Sequence, residues 1–331
     1  MENIVYFFYF IKSSNWTRLK NHANFVCSHF NMPKSKLIFD IVKCALKYGI
    51  AFHEYFYYGF WQKDGEERSE YASMGFMYRY QKKMNPVEKR GVLADKNKFD
   101  KAYAEFIKRD MMNPIDTEID EVERFIEGRE KVVLKSSTGG GGKNVEIIKI
   151  DNSVTAHTIK ERAVAKHFDI MEEFVQQHDA LQQLSPNSLN TVRFITQLKE
   201  DGTVDVIGSS LRMGVLKNTD NASSGGIICK INIETGQLES KAYSFEITNP
   251  LYDAHPVSGV KFIGFQVPHW EAVKTMCFQA AEKYPDNKCI GWDVAIKQDG
   301  PLLIEGNHDW GARVWQMPAG KGMRKVLEKY L

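Results

Sequence analysis

A glycine-rich loop between two predicted strands constrains this 331-residue chain more than any other feature. Lys131–Lys135 has the composition of a strand, residues 136 to 143 contain four consecutive glycines, and residues 145 to 150 are typical of a returning strand. Glycine lets the backbone approach a ligand closely, and the amides of such a loop can bind phosphate oxygens. A flexible hairpin tip is the alternative. The loop is not a Walker loop, because it lacks the Gly-Lys-Ser/Thr ending, and no helix follows it as in a dinucleotide fingerprint.

The remaining segments predict a mixed α/β (α+β) chain with antiparallel strands rather than a doubly wound βαβ series. Residues 1 to 95 are predicted to be mostly helical and are rich in aromatic residues, which are usually core, with a sugar-stacking surface as the alternative. We divide the chain into a helical region (1–95), a first lobe with the glycine-rich loop (96–175) and a second lobe (176–331). The predicted helices are 156–167 and 270–283, and the predicted later strands are 170–175, 191–198, 204–212, 226–233, 238–245, 289–297 and 302–305.

The last predicted hairpin carries the second chemical signal, which is Asp293 followed by Glu305 and Asn307. Side chains alternate along a strand, and a turn at Asp299-Gly300 brings the two strands together. Glu305 and Asn307 have the same parity, so three oxygen ligands can converge. Such ligands suit Mg²⁺ with substrate phosphates, and neighbouring carboxylates repel each other without a cation. A solvated hairpin with incidental acids is the alternative.

Together the loop and the hairpin resemble the ATP-grasp superfamily over roughly residues 95 to 331. The resemblance implies two lobes with mixed or antiparallel sheets that hold ATP between them, and Mg²⁺ bound by Asp293, Glu305 and Asn307. It also implies nucleotide contacts from two lysines, the glycine-rich loop and a hinge strand whose backbone holds adenine. The implied nucleotide-binding residues are Lys96, Lys135, Thr138, Gly139, Gly140, Gly141, Gly142, Lys143, Glu172, Glu173, Phe174, Val175 and, for the ribose, Asp179 or His178.

Several short sequence motifs are similar to those of a narrower group, the sugar-transfer-associated ATP-grasp family found beside polysaccharide biosynthesis genes. By resemblance, Arg193 and Arg212 hold the γ-phosphate and the acyl phosphate, with Lys135 as a third catalytic residue; surface ion pairs are the alternative. Asn190 and Asn221 would orient the same oxygens, and His255 would be a base or a substrate contact, with a structural histidine as the alternative. The motifs that carry this narrower resemblance are Ser188-Leu-Asn-Thr-Val-Arg193, Leu211-Arg-Met-Gly214, Asp220-Asn221 with Gly225-Gly226, His255-Pro256, Gly291-Trp-Asp293, Glu305-Gly-Asn307 and the aromatic stretch 54–80.

The resemblance implies a ligase that phosphorylates a carboxylate with ATP and then joins the acyl group to an amine. The acid would be a uronic acid or another small-molecule or glycan carboxylate of a surface polysaccharide or its lipid-linked precursor. A kinase acting on a hydroxyl is the first alternative. A nucleotide-binding scaffold without turnover is the second, and the complete set of lysine, acids and amide argues against it.

Composition narrows the partners and the location. The formal net charge is +2, so no global electrostatic argument favours nucleic acid. The five cysteines are scattered and odd in number, so we expect reduced thiols in a cytoplasmic protein. The apolar run from Ile4 to Ile11 is too short to span a bilayer and lacks the basic leader of a signal peptide. It predicts a buried helix or strand, with a peripheral membrane-surface contact as the alternative. The sequence leaves the oligomeric state open.

Overall fold

The computed structural model describes residues 2–137, 145–216 and 219–331. The expected helical N-terminal region is confirmed, since short helices and one 3₁₀ turn, Phe60–Gln62, follow one another as far as residue 94. Asn15, Asp64 and Ser73 cap three of the helices by accepting backbone N–H groups. The helices are α1 (Glu2–Ser13), α2 (Trp16–His29), α3 (Lys34–Tyr48), α4 (Phe52–Tyr57), α5 (Gly65–Ser69), α6 (Met74–Met84) and α7 (Gly91–Ala94).

The aromatic stretch of this region forms a core rather than an open stacking surface. Tyr55, Phe56 and Phe60 are each no more than 2% exposed. The same cluster includes Ile228 and Phe245 from the C-terminal half of the chain. The N-terminal region therefore packs directly on the second lobe.

A four-stranded antiparallel sheet follows, in the order β1-β4-β2-β3. Residues 96 to 107, which we assigned to the first lobe from sequence, pack Phe99 and Tyr103 into the core of the other sheet. Strand β4 ends at Glu173, two residues before the predicted end. The elements are α8 (Lys96–Ala102), α9 (Ala104–Ile107), β1 (Met111–Met112), α10 (Ile119–Ile126), β2 (Lys131–Lys135), β3 (Val145–Lys149), α11 (Ala156–Lys166) and β4 (Ile170–Glu173).

The second sheet has six antiparallel strands in the order β10-β9-β5-β6-β7-β8. One of its faces packs on helix α13 through Phe194, Trp292 and Val273. The strand predicted at 238–245 is reduced to β8, because Leu238 and Ala242 form isolated bridges instead. The elements are α12 (Asp179–Leu184), β5 (Thr191–Leu198), β6 (Val204–Met213), β7 (Ile227–Lys230), β8 (Tyr243–Ser244), α13 (Trp270–Lys283), β9 (Cys289–Lys297), β10 (Gly300–Asn307), α14 (Arg313–Ala319) and α15 (Arg324–Glu328).

The cysteines are free thiols, and four of the five are buried. Burial raises the pKa of Cys44 and of Cys289 to about 12, so neither is a thiolate at neutral pH. No helix among the described residues is both long and apolar enough to cross a membrane.

Candidate active site

One face of the six-stranded sheet brings together the predicted metal and phosphate residues. Arg193 lies directly opposite Asp293 on β9, and Asp293 lies directly opposite Glu305 on β10. Asn307 is two residues beyond Glu305, and Arg212 on β6 is opposite Thr191, two residues before Arg193. Because side chains two apart share a face, these five residues form one line across four strands. We call Arg212, Arg193, Asp293, Glu305 and Asn307 the polar row.

A β-bulge in β10 is what places Glu305 in this row. The register pairs Leu303 with Val294 and then Glu305 with Asp293, so Ile304 is an extra residue. Without the bulge, Ile304 would stand opposite Asp293, and Glu305 would point to the other face of the sheet. The hairpin therefore depends on this irregularity to bring its two acids together.

The two acids of the row have different surroundings. Asp293 is 1% exposed, and its two oxygens lie 2.5 Å from Arg193 Nε and 3.0 Å from Arg193 Nη2. Arg212 Nη1 adds a contact of 3.1 Å. Burial opposes ionisation of Asp293, but the charges of Arg193 and Arg212 outweigh it and lower its pKa. Burial, and then the charge of Asp293, raise the pKa of Glu305.

The donor set of the row fits a hard cation. The amide nitrogen of Asn307 donates to Glu305 Oε1 at 3.1 Å and to the Gly291 carbonyl at 3.3 Å, which leaves its amide oxygen as an acceptor. Among the described residues, no three His, Cys, Asp or Glu side chains form a metal cluster. The row offers two carboxylates and one amide oxygen, which suits Mg²⁺ better than a transition metal. Asp293 would share its oxygen lone pairs between such a cation and the arginines.

Arg212 also forms an ion pair with Asp220, a residue of one of the family-like motifs for which the sequence predicts no role. Arg212 Nη2 lies 3.2 Å from Asp220 Oδ1, and the Thr191 amide donates to Asp220 Oδ2 at 3.1 Å. The side chains of Arg193 and Arg212 are only 7% and 14% exposed. Arg193 is therefore buried and Arg212 half-buried, and both are bonded to carboxylates rather than being parts of surface ion pairs.

An ion-pair bridge at the first sheet links it to this site. Lys135 Nζ and Arg109 Nε lie 2.6 Å and 3.0 Å from the same oxygen of Glu172. Arg109 Nη1 also donates to the carbonyl of Leu303 on β10 at 2.7 Å. Burial opposes ionisation of Glu172, but the charges of Arg109 and Lys135 lower its pKa. No local pattern in the sequence indicates a role for Arg109, because its partners are 63 and 194 residues away.

Lys96, the other lysine predicted to bind the nucleotide, contacts the first residue of the glycine-rich loop. Lys96 Nζ donates to the Ser136 carbonyl at 3.0 Å. Burial, and then the charge of Lys135, lower the pKa of Lys96, so the two lysines face one region. Asp169, which sequence reasoning missed, accepts the amide of Ser137 at 2.6 Å. Thr138, Gly139, Gly140, Gly141, Gly142 and Lys143 lie outside the described residues.

The segment after β4 borders an apolar cluster between the sheets. Val175 is 8% exposed and belongs to a cluster with Ala295 and Leu302, against which Leu189 and Ile304 pack. Lys131 Nζ lies 4.9 Å from the centre of the Phe174 ring. The Glu173 amide donates to the Asp110 carbonyl at 2.9 Å. Of the predicted hinge residues, Val175 is therefore the one that belongs to this apolar cluster.

Asp179 and His178 begin helix α12 beside the turn of the last hairpin. Asp179 Oδ2 accepts from Gln298 Nε2 at 3.4 Å, and the Asp179 side chain is otherwise exposed. His178 Nδ1 accepts the Ala180 amide at 3.1 Å and caps the helix. Asp179 is thus the more accessible of the two ribose candidates.

Three weaker candidates have structural partners. His255 is 1% exposed, with Nε2 at 2.9 Å from the Gly214 carbonyl and Nδ1 accepting the Val257 amide at 3.3 Å. Asn190 is fully buried and donates to Gln177 Oε1 and the Ser185 carbonyl, both at 2.9 Å. Asn221 caps a short turn through the Ser223 amide at 2.9 Å. These contacts favour the structural alternative for His255.

Comparison with solved structures finds distant similarity. The ATP-grasp ligase PsnB, complexed with a phosphomimetic variant of its minimal precursor, Mg and ADP, is 14% identical, with a TM-score of 0.44 over 80% of this chain and 69% of that one. The D-alanine-D-alanine ligase from Coxiella burnetii is 9% identical, with a TM-score of 0.41 over 74% and 58%. A biotin carboxylase from Campylobacter jejuni is 13% identical, with a TM-score of 0.46 over 74% and 47%. A search of curated proteins gives no significant match. Similarity at this level does not identify an activity.

The family comparison is more specific. The sequence profile of the sugar-transfer-associated ATP-grasp family matches residues 76–330. The match spans both sheets, the polar row, Lys96 and Lys135, and it confirms the ATP-grasp fold expected from the sequence. The chain therefore belongs to the sugar-transfer-associated ATP-grasp family.

Proposed function

We propose that this protein is an ATP- and Mg²⁺-dependent carboxylate–amine ligase that works through an acyl phosphate. The observation that carries the proposal is the polar row, which collects two arginines, two acids and an amide on one face of the second sheet. The Arg109–Glu172–Lys135 bridge adjoins the row through Leu303. Such a grouping of cations with hard oxygen ligands suits the transfer of a phosphoryl group.

Each part of the chain has a distinct task in this proposal. Glu305, Asn307 and one oxygen of Asp293 would hold Mg²⁺, which supplies neutralisation of phosphate charge when bound. Lys96 and Lys135 would bind the nucleotide phosphates, with the apolar cluster at Val175 beside the base. Arg193 and Arg212 would fix Asp293 and present their remaining N–H groups to the transferring phosphoryl group.

The proposed reaction has two displacements. A carboxylate oxygen of the acid forms a bond to the γ-phosphorus, the bond from phosphorus to the bridging oxygen breaks, and ADP leaves. The amine nitrogen then bonds to the acyl carbon, the carbon–oxygen bond to phosphate breaks, and the amine loses a proton. Closed lobes would exclude water, which otherwise hydrolyses the acyl phosphate.

The row favours a carboxylate over a hydroxyl as nucleophile. A carboxylate attacks as the anion, whereas a hydroxyl needs a base to accept its proton. Asp293 and Asp220 are both held by arginine. Among the described acids of the row, Glu305 alone has no arginine within ion-pair distance, and the proposal assigns it to the metal. A kinase acting on a hydroxyl would lack an obvious base there.

The proposed substrate class is a uronic acid, or a similar carboxylate, of a surface polysaccharide or its lipid-linked precursor. The amine would be an amino acid or an amino sugar. The support for this class is the family's association with sugar transfer. Cytoplasmic location follows from the need for ATP and is part of the same proposal.

Hydroxylamine trapping tests the proposal without knowledge of the natural amine. The protein is incubated with Mg-ATP, hydroxylamine and a panel of uronic acids, and hydroxamate and ADP are measured. A ligase of this kind yields hydroxamate in proportion to ADP, and only when an accepted acid is present. Mass spectrometry then follows the reaction with candidate amines, where a condensed product is expected.

The matched control uses two amide substitutions on one hairpin. Glu305→Gln should lower hydroxamate formation by about 10²-fold or more, whereas Asp299→Asn, at the turn where that side chain is 78% exposed, should leave it unchanged. A product that gains a phosphate on a hydroxyl, with no hydroxamate, would show a kinase instead. ADP release that is indifferent to every acid tested and equal in both variants would remove the assignment of the polar row.

A further inference from the structure

Helix α1 turns an apolar face outward, where a surface helix normally carries polar residues. Ile4, Val5, Phe8 and Tyr9 are 52%, 68%, 65% and 59% exposed, and Ile11 is 38% exposed. At 100° per residue these five side chains and Lys12 occupy one arc of about 160°. The opposite side of the helix is the packed one, since Phe10 is 1% exposed.

Exposed apolar side chains continue on the neighbouring helices. Trp16 is 57% exposed, and its ring lies 6.1 Å from that of Phe52, which also contacts Phe7 and Phe10 of α1. Asn3 donates to the carbonyls of Leu46 and Lys47 at 3.0 Å and 3.3 Å, so α1 lies beside the end of α3. The exposed large apolar side chains of α3 are Ile38 (51%), Phe39 (70%) and Leu46 (41%). We call this set on α1, Trp16 and α3 the outer apolar face.

Positive charge is concentrated in the same helices. Residues 2 to 48 contain seven basic and two acidic residues, although the whole chain has a net charge of only +2. Both acids are paired: Glu2 lies 3.4 Å from Arg79, and Asp40 lies 2.7 Å from Arg68. The basic residues are Lys12, Arg18, Lys20, Lys34, Lys36, Lys43 and Lys47. Arg18 pairs with Glu246 of the second lobe at 3.6 Å, and the six lysines give the helices that carry the outer apolar face an excess of positive charge.

We propose that the outer apolar face binds the surface of a bilayer that contains anionic lipids. A helix with an exposed apolar arc and basic residues nearby lies in the plane of the interface, with aliphatic and phenyl groups at the acyl boundary. Tyr and Trp have an apolar ring and a polar group, which suits Tyr9 and Trp16 to the headgroup region. The charge of the lysines is complementary to anionic headgroups. A protein partner would explain the apolar area but not the basic excess of the helices that carry it.

Lipid binding by the outer apolar face does not depend on the ligase proposal. The benefit of that binding for catalysis does rest on the proposed function. If the acid is carried on a lipid-linked precursor, a bilayer-bound enzyme meets its substrate at the surface.

Vesicle flotation of the full chain tests the proposal. The vesicles are phosphatidylcholine alone and phosphatidylcholine with phosphatidylglycerol, at two salt concentrations. The wild type should float with the anionic vesicles, and less so at high salt. The double variant Val5→Glu/Phe8→Glu should lose about tenfold or more of this binding, because it removes two apolar side chains and adds two negative charges.

The matched control is Val164→Glu/Ile263→Glu, which changes two side chains that are 54% and 62% exposed elsewhere on the molecule. It should float as the wild type does. Thermal melting and hydroxylamine trapping with a soluble acid should be the same for the wild type and both double variants, which separates lipid binding from folding and catalysis. Equal flotation of the two double variants would overturn the proposal. So would a wild-type dimer that ignores vesicles and that Val5→Glu/Phe8→Glu converts to a monomer, because the face would then bind a second copy.

Discussion

Asp293 and Glu305 face each other across β9 and β10, yet the structure gives them opposite effects on stability. Asp293 neutralises the buried guanidinium of Arg193 and the half-buried one of Arg212, so it belongs to the folded framework. Glu305 is a buried acid facing another acid, and its raised pKa reports that its charged form is disfavoured. The repulsion between neighbouring carboxylates that the sequence predicts therefore acts on Glu305, whereas the arginines offset it at Asp293.

Glu305→Gln and Asp293→Asn should therefore separate catalysis from folding. Glu305→Gln keeps the shape and removes an unfavourable charge, so the apo protein should melt at or slightly above the wild-type temperature. Its turnover should fall by about 10²-fold or more, as for loss of one strong electrostatic stabiliser. Asp293→Asn leaves the buried Arg193 without its carboxylate partner, although Arg212 keeps Asp220, and should cost about 3–5 kcal/mol of unfolding free energy. Thermal melting and ADP release measure both effects, and a Glu305→Gln protein that melts well below wild type would contradict the electrostatic picture.

Lys135 should matter more for nucleotide binding than for folding. In Lys135→Met, Glu172 keeps Arg109 as its partner, so the chain stays folded with a modestly lower melting temperature. Loss of one charge-assisted contact of about 1.5–3 kcal/mol raises the Kd for ATP by about 10- to 100-fold. Titration calorimetry measures the Kd. Lys149→Met is the control, because Lys149 is an exposed residue of the adjacent strand β3. Equal affinities for both variants would remove Lys135 from the phosphate site.

Arg109 is the residue that connects the two sheets at the site. Arg109→Met breaks a buried ion pair to Glu172 on β4 and a hydrogen bond to Leu303, the residue before the β10 bulge. We expect a loss of about 3 kcal/mol in unfolding free energy, the lower end for a broken buried pair, because Lys135 still neutralises Glu172. Hydrogen exchange should accelerate in both β4 and β10. Arg124→Met, at a guanidinium that is 71% exposed, should change neither measurement.

The sequence predicted most strands of both sheets and the residues of the polar row, but not how the row is assembled. Alternation and turn residues suffice for β9 and β10 as elements. Side-chain alternation and the turn alone would put Asp293 and Glu305 on opposite faces of the hairpin. Only the bulge at Ile304 brings the two side chains to the same face. Pairing between Arg193 and Asp293, 100 residues apart, depends on a strand register that no local pattern contains. The strand predicted at 238–245 is mostly absent because isolated bridges take its backbone groups.

The N-terminal region meets the second lobe at a cluster of cations that should make stability depend on pH. Burial, then the charges of Arg313, Arg18 and His22, lower the pKa of His53 to about 3. The unfolded chain takes up this proton near pH 6.5, and the folded chain does so only near pH 3. The contribution of His53 to stability is therefore fully present above pH 6.5 and is lost progressively as the pH falls from 6.5 towards 3.

His53→Asn should flatten this loss. One such proton contributes up to about 1.4 kcal/mol per pH unit, so the slope of unfolding free energy between pH 6 and 4.5 should decrease by roughly that amount. Denaturant unfolding at several pH values measures the slope, whatever the variant's stability at neutral pH. His157→Asn, at an exposed imidazole, should leave the slope as it is in the wild type. A slope unchanged by His53→Asn would show that His53 gains its proton in the folded state as readily as in the unfolded one.

Nucleotide and metal together should stabilise the whole molecule, because their proposed ligands come from both sheets. Lys96 and Lys135 adjoin the first sheet, and the polar row belongs to the second, so a bound Mg-ATP favours the folded chain by mass action. At a ligand concentration of about 100 Kd this amounts to about 2.7 kcal/mol. ATP with a chelator should stabilise much less, because Asp293 and Glu305 then face the phosphates without a cation between them.

Glu305→Gln offers the sharper comparison: it should keep the stabilisation by ATP alone and lose most of the additional effect of magnesium. Melting curves with ATP, with Mg²⁺ and with both, for wild type, Glu305→Gln and the hairpin control Asp299→Asn, measure these differences. Identical stabilisation with and without Mg²⁺ in the wild type would place the metal elsewhere. A magnesium effect that survives in Glu305→Gln but not in Asp299→Asn would reverse the assignment within the hairpin.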